Sequence, residues 1–434
     1  MANQGIFCNT PWYEAHIYWD GSMGICCQEE HKLYQETDSQ FNIRNMSLKE
    51  WFNSEPVRQF RLKMLDNHRN SACHRCYIEE DHGGNSRRFK SNMKSVIFTS
   101  TAFQTSWTQS PGHRHFVYSM NNDGATETYP IDLHIDLGNY CNLACKMCNA
   151  KTSSTIASQH VRWGIKDSAK YLGTDWTRDL ETWTRFKQEL LDLPGLNNIH
   201  LMGGETLLTD RFLDLVNTVD QAGRHEICFS FVTNGTVWKP ELMSVLSKFR
   251  RVGIEVSVET MTDHNAYVRQ GTDQQLLLQN LERYQFWAAE NNQTVTLRPA
   301  VGLLTAGYYD TLLNYALEHK LVVKGLLCYT PDFLDMRILP DHIKDLYISR
   351  YERFLSDYNA EDYNASDPNK FKHIVAQQAH VVIQRLRSSR PNNSELLLEK
   401  MVHHCQRWDK VYGLDAKILY PELREYFYQY SHAI

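Results

Sequence analysis

The sequence predicts an α/β fold: a partial (β/α)6 barrel, preceded by a cysteine-rich N-terminal region and followed by a helical C-terminal extension. Three observations predict it. Six short apolar runs recur between residues 130 and 335, each followed by a polar or glycine-bearing turn and a helical stretch. Cysteines gather ahead of these runs and again just after the first. Beyond residue 335 the apolar spacing is mostly helical, as in 341–358 and 394–409.

The six runs are IDLHIDL (131–137), NIHLM (198–202), EICFSFVT (226–233), VGIEVSV (252–258), TVTLRPAV (294–301) and KGLLCY (324–329). Ile227, Phe229 and Phe231 alternate, as do Ile254, Val256 and Val258. Between runs the period changes: Trp176, Leu180, Trp183, Phe186, Leu190 and Leu193 step by three and four, and Pro194-Gly195 ends that helix. Strands alternating with helices imply a parallel sheet. Six units are too few to close eight strands, so a partial TIM-like barrel or an open doubly wound sheet is expected. Four regions follow: 1–95, mixed and cysteine-bearing; 96–129, a Ser/Thr/Gln/Asn-rich linker or surface excursion; 130–335, the partial barrel; and 336–434, helical.

The chain has 434 residues, 42% apolar and 22% charged, enough for two or three domains with a sizeable core. A formal net charge of -5 gives no electrostatic case for nucleic acid or an anionic membrane. The start MANQGIFCNT lacks the pattern of a signal peptide, and no stretch reaches the length of a membrane span. The expectation is a soluble cytoplasmic protein with no membrane or nucleic-acid partner. In a reducing compartment, clustered cysteines bind metal or do chemistry rather than form disulfides.

The polar groups of interest each follow a strand: the cysteines after 131–137, Gly203-Gly204-Glu205 after 198–202, Thr233-Asn234-Gly235 after 226–233, and Ser257 with Glu259 at the end of 252–258. In parallel sheets the site lies at those strand ends, so four segments should converge on one mouth. The stretch YCNLACKMCN (140–149) holds Cys141, Cys145 and Cys148. Three thiolates on so short a loop suit a soft metal centre. They supply three of a cubane's four irons and leave the last open. A zinc site completed by His134 or Cys328 is the bland alternative.

This CxxxCxxC spacing resembles the signature of the radical S-adenosylmethionine (SAM) enzymes. Met202-Gly203-Gly204-Glu205 is similar to that family's Gly-Gly-Glu stretch. Ser257-Val258-Glu259 followed by Tyr267-Val268-Arg269-Gln270-Gly271 resembles its fourth-strand polar residue and following arginine. The resemblance covers residues 130–335. It implies a 4Fe–4S cluster on Cys141, Cys145 and Cys148, with SAM chelating the fourth iron. Glu205 would then accept from the SAM ammonium, and Gly203 and Gly204 would let the backbone come close. Arg269 would face the SAM carboxylate, Ser257 and Glu259 the carboxylate or ribose, and Asn234 would support the pocket. Met147 stands where the family has an aromatic residue against the adenine, and Thr206 where it has proline. The implied reaction is reductive cleavage of SAM to a 5′-deoxyadenosyl radical, which takes a hydrogen atom from a substrate. A one-electron donor such as flavodoxin or ferredoxin is then needed.

A second cysteine set lies upstream. FCNTPWYEAHIYWDGSMGICC (7–27) reads as a hairpin around Asp20-Gly21, bringing Cys8 near the Cys26-Cys27 doublet. With the CxxC pair Cys73 and Cys76, one member of the doublet completes four thiolates, a closed iron–sulfur or zinc site. Cys8, Gly21 separated from Cys26 by four residues, and the later CxxC resemble the twitch or SPASM auxiliary-cluster domain, here ahead of the barrel. The twitch form is preferred, with one auxiliary 4Fe–4S cluster and zinc as the alternative. Cys26 is slightly favoured over Cys27 by spacing.

Other features take bland readings. His403-His404-Cys405 sits in a helical stretch, where adjacent residues do not face one another. Cys228 and Cys328 read as buried and unreactive. Arg87-Arg88-Phe89-Lys90 reads as a solvated basic face, and Tyr308 and Tyr329 as core or pocket. By analogy with twitch and SPASM relatives, the expected substrate is a peptide or protein. A small-molecule substrate is the second reading, and a non-catalytic metal-stabilised binding module the third.

Overall fold

In a computed structural model, the structure describes residues 7–29, 39–66, 68–81, 86–97, 117–127, 129–357 and 370–431. Most of the expected 96–129 linker lies outside these residues. No helix among them is long and apolar enough to cross a membrane. Twelve strands are described: β1 Glu14–Ile17, β2 Met23–Gly24, β3 Asp132–Asp136, β4 Ala144–Cys145, β5 Asn198–Met202, β6 Cys228–Thr233, β7 Val252–Val256, β8 Arg269–Gln270, β9 Thr294–Leu297, β10 Ala300–Val301, β11 Val322–Val323 and β12 Leu326–Leu327. The chain divides into two compact units.

The first unit comprises Met1–Cys141, Ala150–Phe231 and Lys239–Val252. Its strands run in the order β2-β1-β3-β5-β6. β1 and β2 form the expected hairpin, antiparallel, with Gly21 at φ +84° in the turn. β1 then pairs parallel with β3, β3 with β5, and β5 with β6. The hairpin therefore extends the barrel strands instead of standing as a separate layer, a pairing that alternation alone does not reveal.

The faces of these strands differ in kind. Ala15, Ile17, Leu133, Ile135, Ile199, Leu201, Phe229 and Phe231 are buried on one face. Phe212 of the helix Asp210–Gln221 meets Phe231 there, ring centroids 5.0 Å apart. The other face is polar: register aligns His16 with His134, His134 with His200, and His200 with Ser230. The His134 and His200 rings are 4.7 Å apart, and His200 Nδ1 lies 2.7 Å from Ser230 Oγ. His16 Nε2 lies 3.0 Å from Asp136 Oδ1. Period-two alternation thus gives one helix-packed face and one lined with imidazoles and carboxylates.

The second unit comprises Asn142–Asn149, Val232–Trp238 and Gly253–Ile434. β7, β9 and β11 are parallel neighbours. β10 pairs parallel with β12, and β4 antiparallel with β8. The sixth expected run is corrected here. The strand beside β9 is Val322–Val323, whereas Leu326–Leu327 of KGLLCY joins β10. Gly325 separates them, its amide turned to Gln378 Oε1 at 2.9 Å. The expected C-terminal helices are present as Asp341–Asp357, Lys370–Arg387, Ser394–Tyr412 and Arg424–Gln429.

Candidate metal and cofactor sites

The N-terminal cysteines are positioned by three short elements of the first unit. Cys8 precedes the 3-10 turn Thr10–Trp12, and its thiol donates to Thr10 Oγ1 at 3.1 Å. Cys26 follows the hairpin. Asn70 caps the 3-10 turn Ser71–Cys73 by accepting from the Ala72 amide, and the helix His74–Asp81 follows at once. Cys73 and Cys76 are thus one helical turn apart and share a face. Cys8, Cys26, Cys73 and Cys76 line one cavity together with Arg87 and Arg88.

Burial pushes the Cys8 thiol up to about 11 and raises those of Cys26, Cys73 and Cys76. Neighbouring thiols add to this: Cys76 acts on Cys8, and Cys8 on Cys73. Four thiolates cannot share this space without a compensating cation, and that is the chemistry of a closed metal site. The donor set fits a fully ligated cluster.

Cys27 lies elsewhere. Its sulfur, a Glu14 carboxylate oxygen and a His134 ring nitrogen lie within 4.8 Å of one another. A guanidinium already serves this group: Arg87 Nη2 donates to Glu14 Oε2 and lies 3.2 Å from His134 Nε2. Arg88 is 5% exposed and donates to Glu80 and to the Phe7 carbonyl. The basic run at 87–90 is therefore not a solvated face. Two of its arginines turn inward, because a buried carboxylate and four thiols need positive charge.

The three-cysteine loop is described in parts. Cys141, in the first unit, has its amide on Ser154 Oγ at 3.2 Å and its carbonyl accepting from Thr155. Cys145 and Cys148, in the second unit, are joined by the Cys148 amide donating to the Cys145 carbonyl at 3.0 Å. Cys145 is buried and Cys148 exposed. A hydrogen bond with Cys148 and the nearby Arg269 charge hold the Cys145 thiol below its ordinary range, against the effect of burial. Met147 between them is half-buried.

Gly203 has φ +118°, and an added Cβ would lie 2.4 Å from the Gly138 carbonyl. At Gly204 it would lie 2.1 Å from the Tyr140 carbonyl. Both glycines are thus required by close backbone approach to the residues leading into the cysteine loop. The Glu205 amide donates to Tyr140 O at 2.7 Å, and its buried carboxylate accepts from the Leu207 amide at 3.1 Å. Within the second unit, Asn234 Nδ2 donates to Asn142 Oδ1 at 2.9 Å, and Asn234 Oδ1 accepts from the Thr236 amide at 3.0 Å. Ser257 is buried, its amide on the Thr233 carbonyl at 2.8 Å.

Glu259 and Arg269 form one buried pair. Arg269 Nη2 donates to Glu259 Oε1 at 2.7 Å and Nε to Oε2, and the Ala300 amide adds a bond of 3.2 Å to Oε1. Arg269 Nη1 lies 3.7 Å from Cys145 Sγ. The arginine thus faces a cysteine of the loop and a carboxylate at once, and the carboxylate holds its fork in place.

Sequence reasoning missed Lys146, which is 1% exposed. Its partners Tyr267 and Trp408 lie far off in sequence, so no local signal marked it. It also missed Asn142 and the inward arginines. Cys228 and Cys328, expected to be buried, are both half-buried. Cys228 sits beside Arg250 Nη2 at 3.4 Å. Tyr308 donates to Glu422 at 3.0 Å and stacks on His264, which engages it in packing.

Residues 135–285 match the model of the radical SAM superfamily, and residues 8–77 that of SPASM, an iron–sulfur cluster-binding domain. The chain is 27% identical over 153 residues to the sporulation killing factor maturation protein SkfB of Bacillus subtilis, a match spanning 35% of this chain and 32% of that protein. Among solved structures it is similar to Streptococcus suis SuiB bound to S-adenosylmethionine (15% identity, 70% of this chain and 63% of that one, TM-score 0.37). It is also similar to anSMEcpe with bound AdoMet (18% identity, 52% and 62%, TM-score 0.38). The chain thus spans about a third of the curated relative it matches. The SPASM match favours iron–sulfur over zinc at the N-terminal site, and the cofactors are 4Fe–4S clusters with SAM. The chain carries a radical SAM superfamily domain at residues 135–285 behind a SPASM iron–sulfur cluster-binding domain at 8–77.

Proposed function

We propose that this protein is a radical SAM enzyme that modifies a peptide or protein. One observation carries the reading: an open three-cysteine loop inside a radical SAM match, and an enclosed four-cysteine cavity inside a SPASM match, occur in one chain. The peptide class rests on the likeness to a maturation protein. In this reading the regions are 1–95, 96–129, 130–335 and 336–434, the protein is cytoplasmic, and a flavodoxin- or ferredoxin-type donor supplies one electron.

Cys141, Cys145 and Cys148 hold the SAM-binding cluster, and Cys8, Cys26, Cys73 and Cys76 hold the auxiliary one. When bound, the first cluster and SAM supply hydrogen-atom abstraction through reductive cleavage of SAM. The chain's own residues do the rest. Gly203 and Gly204 admit a close backbone, and the buried Glu205 carboxylate would accept from the SAM ammonium. Arg269, aligned by Glu259 and lying near Cys145, would bind the SAM carboxylate, and Ser257 and Asn234 would support the pocket. Met147 would pack against the adenine.

The test is anaerobic. Reconstituted protein with SAM and dithionite should form 5′-deoxyadenosine, and Cys145→Ala should abolish it. A filled cluster that forms none, under several reductants and with candidate peptides present, would overturn the reading.

A further inference from the structure

The C-terminal helical region lies beyond both family matches, yet it reaches the cysteine loop within the second unit. Lys146 stands between Cys145 and Cys148. Its ammonium donates to the Tyr267 carbonyl at 2.9 Å and lies 3.7 Å from the centre of the Tyr267 ring. Trp408, on the helix Ser394–Tyr412, places its ring 5.6 Å away on another side. Two aromatic faces and a carbonyl surround the ammonium of a lysine that is 1% exposed, while burial lowers its pKa to about 8.

The backbone of Lys146 is held as well. Its amide donates to the Val268 carbonyl at 2.8 Å. Its carbonyl lies 3.2 Å from His404 Nε2, and the Trp408 indole N–H lies 3.1 Å from that same nitrogen. One imidazole nitrogen cannot donate and accept at once, so the tautomer selects which bond forms. In either case the helix seats His404 against the loop. The clamp extends through Tyr420, whose hydroxyl donates to Leu304 O at 2.9 Å and whose ring packs on Tyr267 at 5.5 Å. Val268 leads directly into β8, which pairs with Ala144 and Cys145.

We infer that Lys146, caged by Tyr267 and Trp408, is a positioning residue: it fixes the loop between Cys145 and Cys148 and keeps one buried positive charge within that loop. The C-terminal region is then part of the cluster-holding machinery and not only a cover. A fixed positive charge stabilises the reduced, more negative cluster, so its removal lowers the midpoint potential. The inference rests on Cys145 and Cys148 being cluster ligands.

The experiment compares parent, Lys146→Met and Lys146→Arg, all anaerobically reconstituted. Iron and sulfide per chain are counted, and the midpoint potential is followed through the paramagnetic signal that changes when SAM is added. Lys146→Met should hold the same iron with a midpoint shifted to more negative potential, and Lys146→Arg should return it towards the parent. An unchanged midpoint in fully loaded Lys146→Met would overturn the inference. If Lys146→Met holds no SAM-sensitive cluster, Lys146→Arg decides. A cluster at the parental midpoint upholds the role of the charge, and its absence reduces Lys146 to packing. A parent chain without any SAM-sensitive signal would instead sink the ligand assignment itself, and this inference with it.

Discussion

The two cysteine regions solve opposite problems with the same atom. The N-terminal set draws Cys8, Cys26, Cys73 and Cys76 from three separated segments into one cavity, where burial raises every thiol. The loop at 141–148 keeps its cysteines on one short stretch, leaves Cys148 exposed, and holds the Cys145 thiol below its ordinary range beside Arg269. A closed set of four donors fills a metal centre and leaves no room for a ligand. An open set of three, with an arginine already aligned, leaves a position for one. The contrast lies in how the sequence is spent: the first site depends on long-range folding, the second on local spacing.

The largest effects should come from breaking this division. Cys73→Ala should remove about half of the iron, since two four-iron clusters are expected. It should leave SAM-dependent 5′-deoxyadenosine formation measurable. Cys26→Ser should do the same and Cys27→Ser should not, because Cys26 lines the cavity while Cys27 faces Glu14, His134 and Arg87. Iron and sulfide counts on the reconstituted variants check this. Equal losses from both doublet cysteines would contradict the separation of their roles.

How much of this was legible differs between the two regions. The loop was readable because three cysteines within eight residues carry their geometry in their spacing. The hairpin was readable from Asp20-Gly21 and its flanking apolar residues. The parallel pairing of β1 with β3 was not, because residues Glu14–Ile17 and Asp132–Asp136 are far apart in sequence and alternation says nothing about partners. Arg87 and Arg88 misled for a related reason. A basic run looks solvated until the carboxylates Glu14 and Glu80 and four thiols are seen around it. Lys146 was overlooked because its cage comes from Tyr267 and Trp408, more than a hundred residues away. Local chemistry was legible, and its counter-charges were not.

A smaller effect sharpens the comparison at the open site. Glu259→Gln removes the carboxylate that aligns Arg269, leaving a buried guanidinium without its charged partner. Breaking a buried pair in this way costs about 3 kcal/mol. Thermal unfolding of the reconstituted protein should show a clear loss of stability, and SAM affinity should fall as the arginine loses its orientation. An unchanged melting curve would mean that solvent reaches the guanidinium despite the burial of this pair.

The smallest effect concerns the strand end that supports the loop. Asn234 ties β6 to the cysteine loop by donating to Asn142, and Asn142 in turn donates to Thr236 Oγ1 at 2.9 Å. Asn234→Ala removes one bridging amide and leaves both partners near water, since Asn142 is exposed. The expected cost is about 1 kcal/mol, the net value of a hydrogen bond whose partners can be rehydrated. Urea unfolding of the reconstituted protein measures it. The iron count should stay at the parental value, because the Lys146 carbonyl and amide still hold the loop from its other side. Loss of iron in Asn234→Ala would show that the loop depends on the strand end for its shape, and that the C-terminal clamp alone does not hold it.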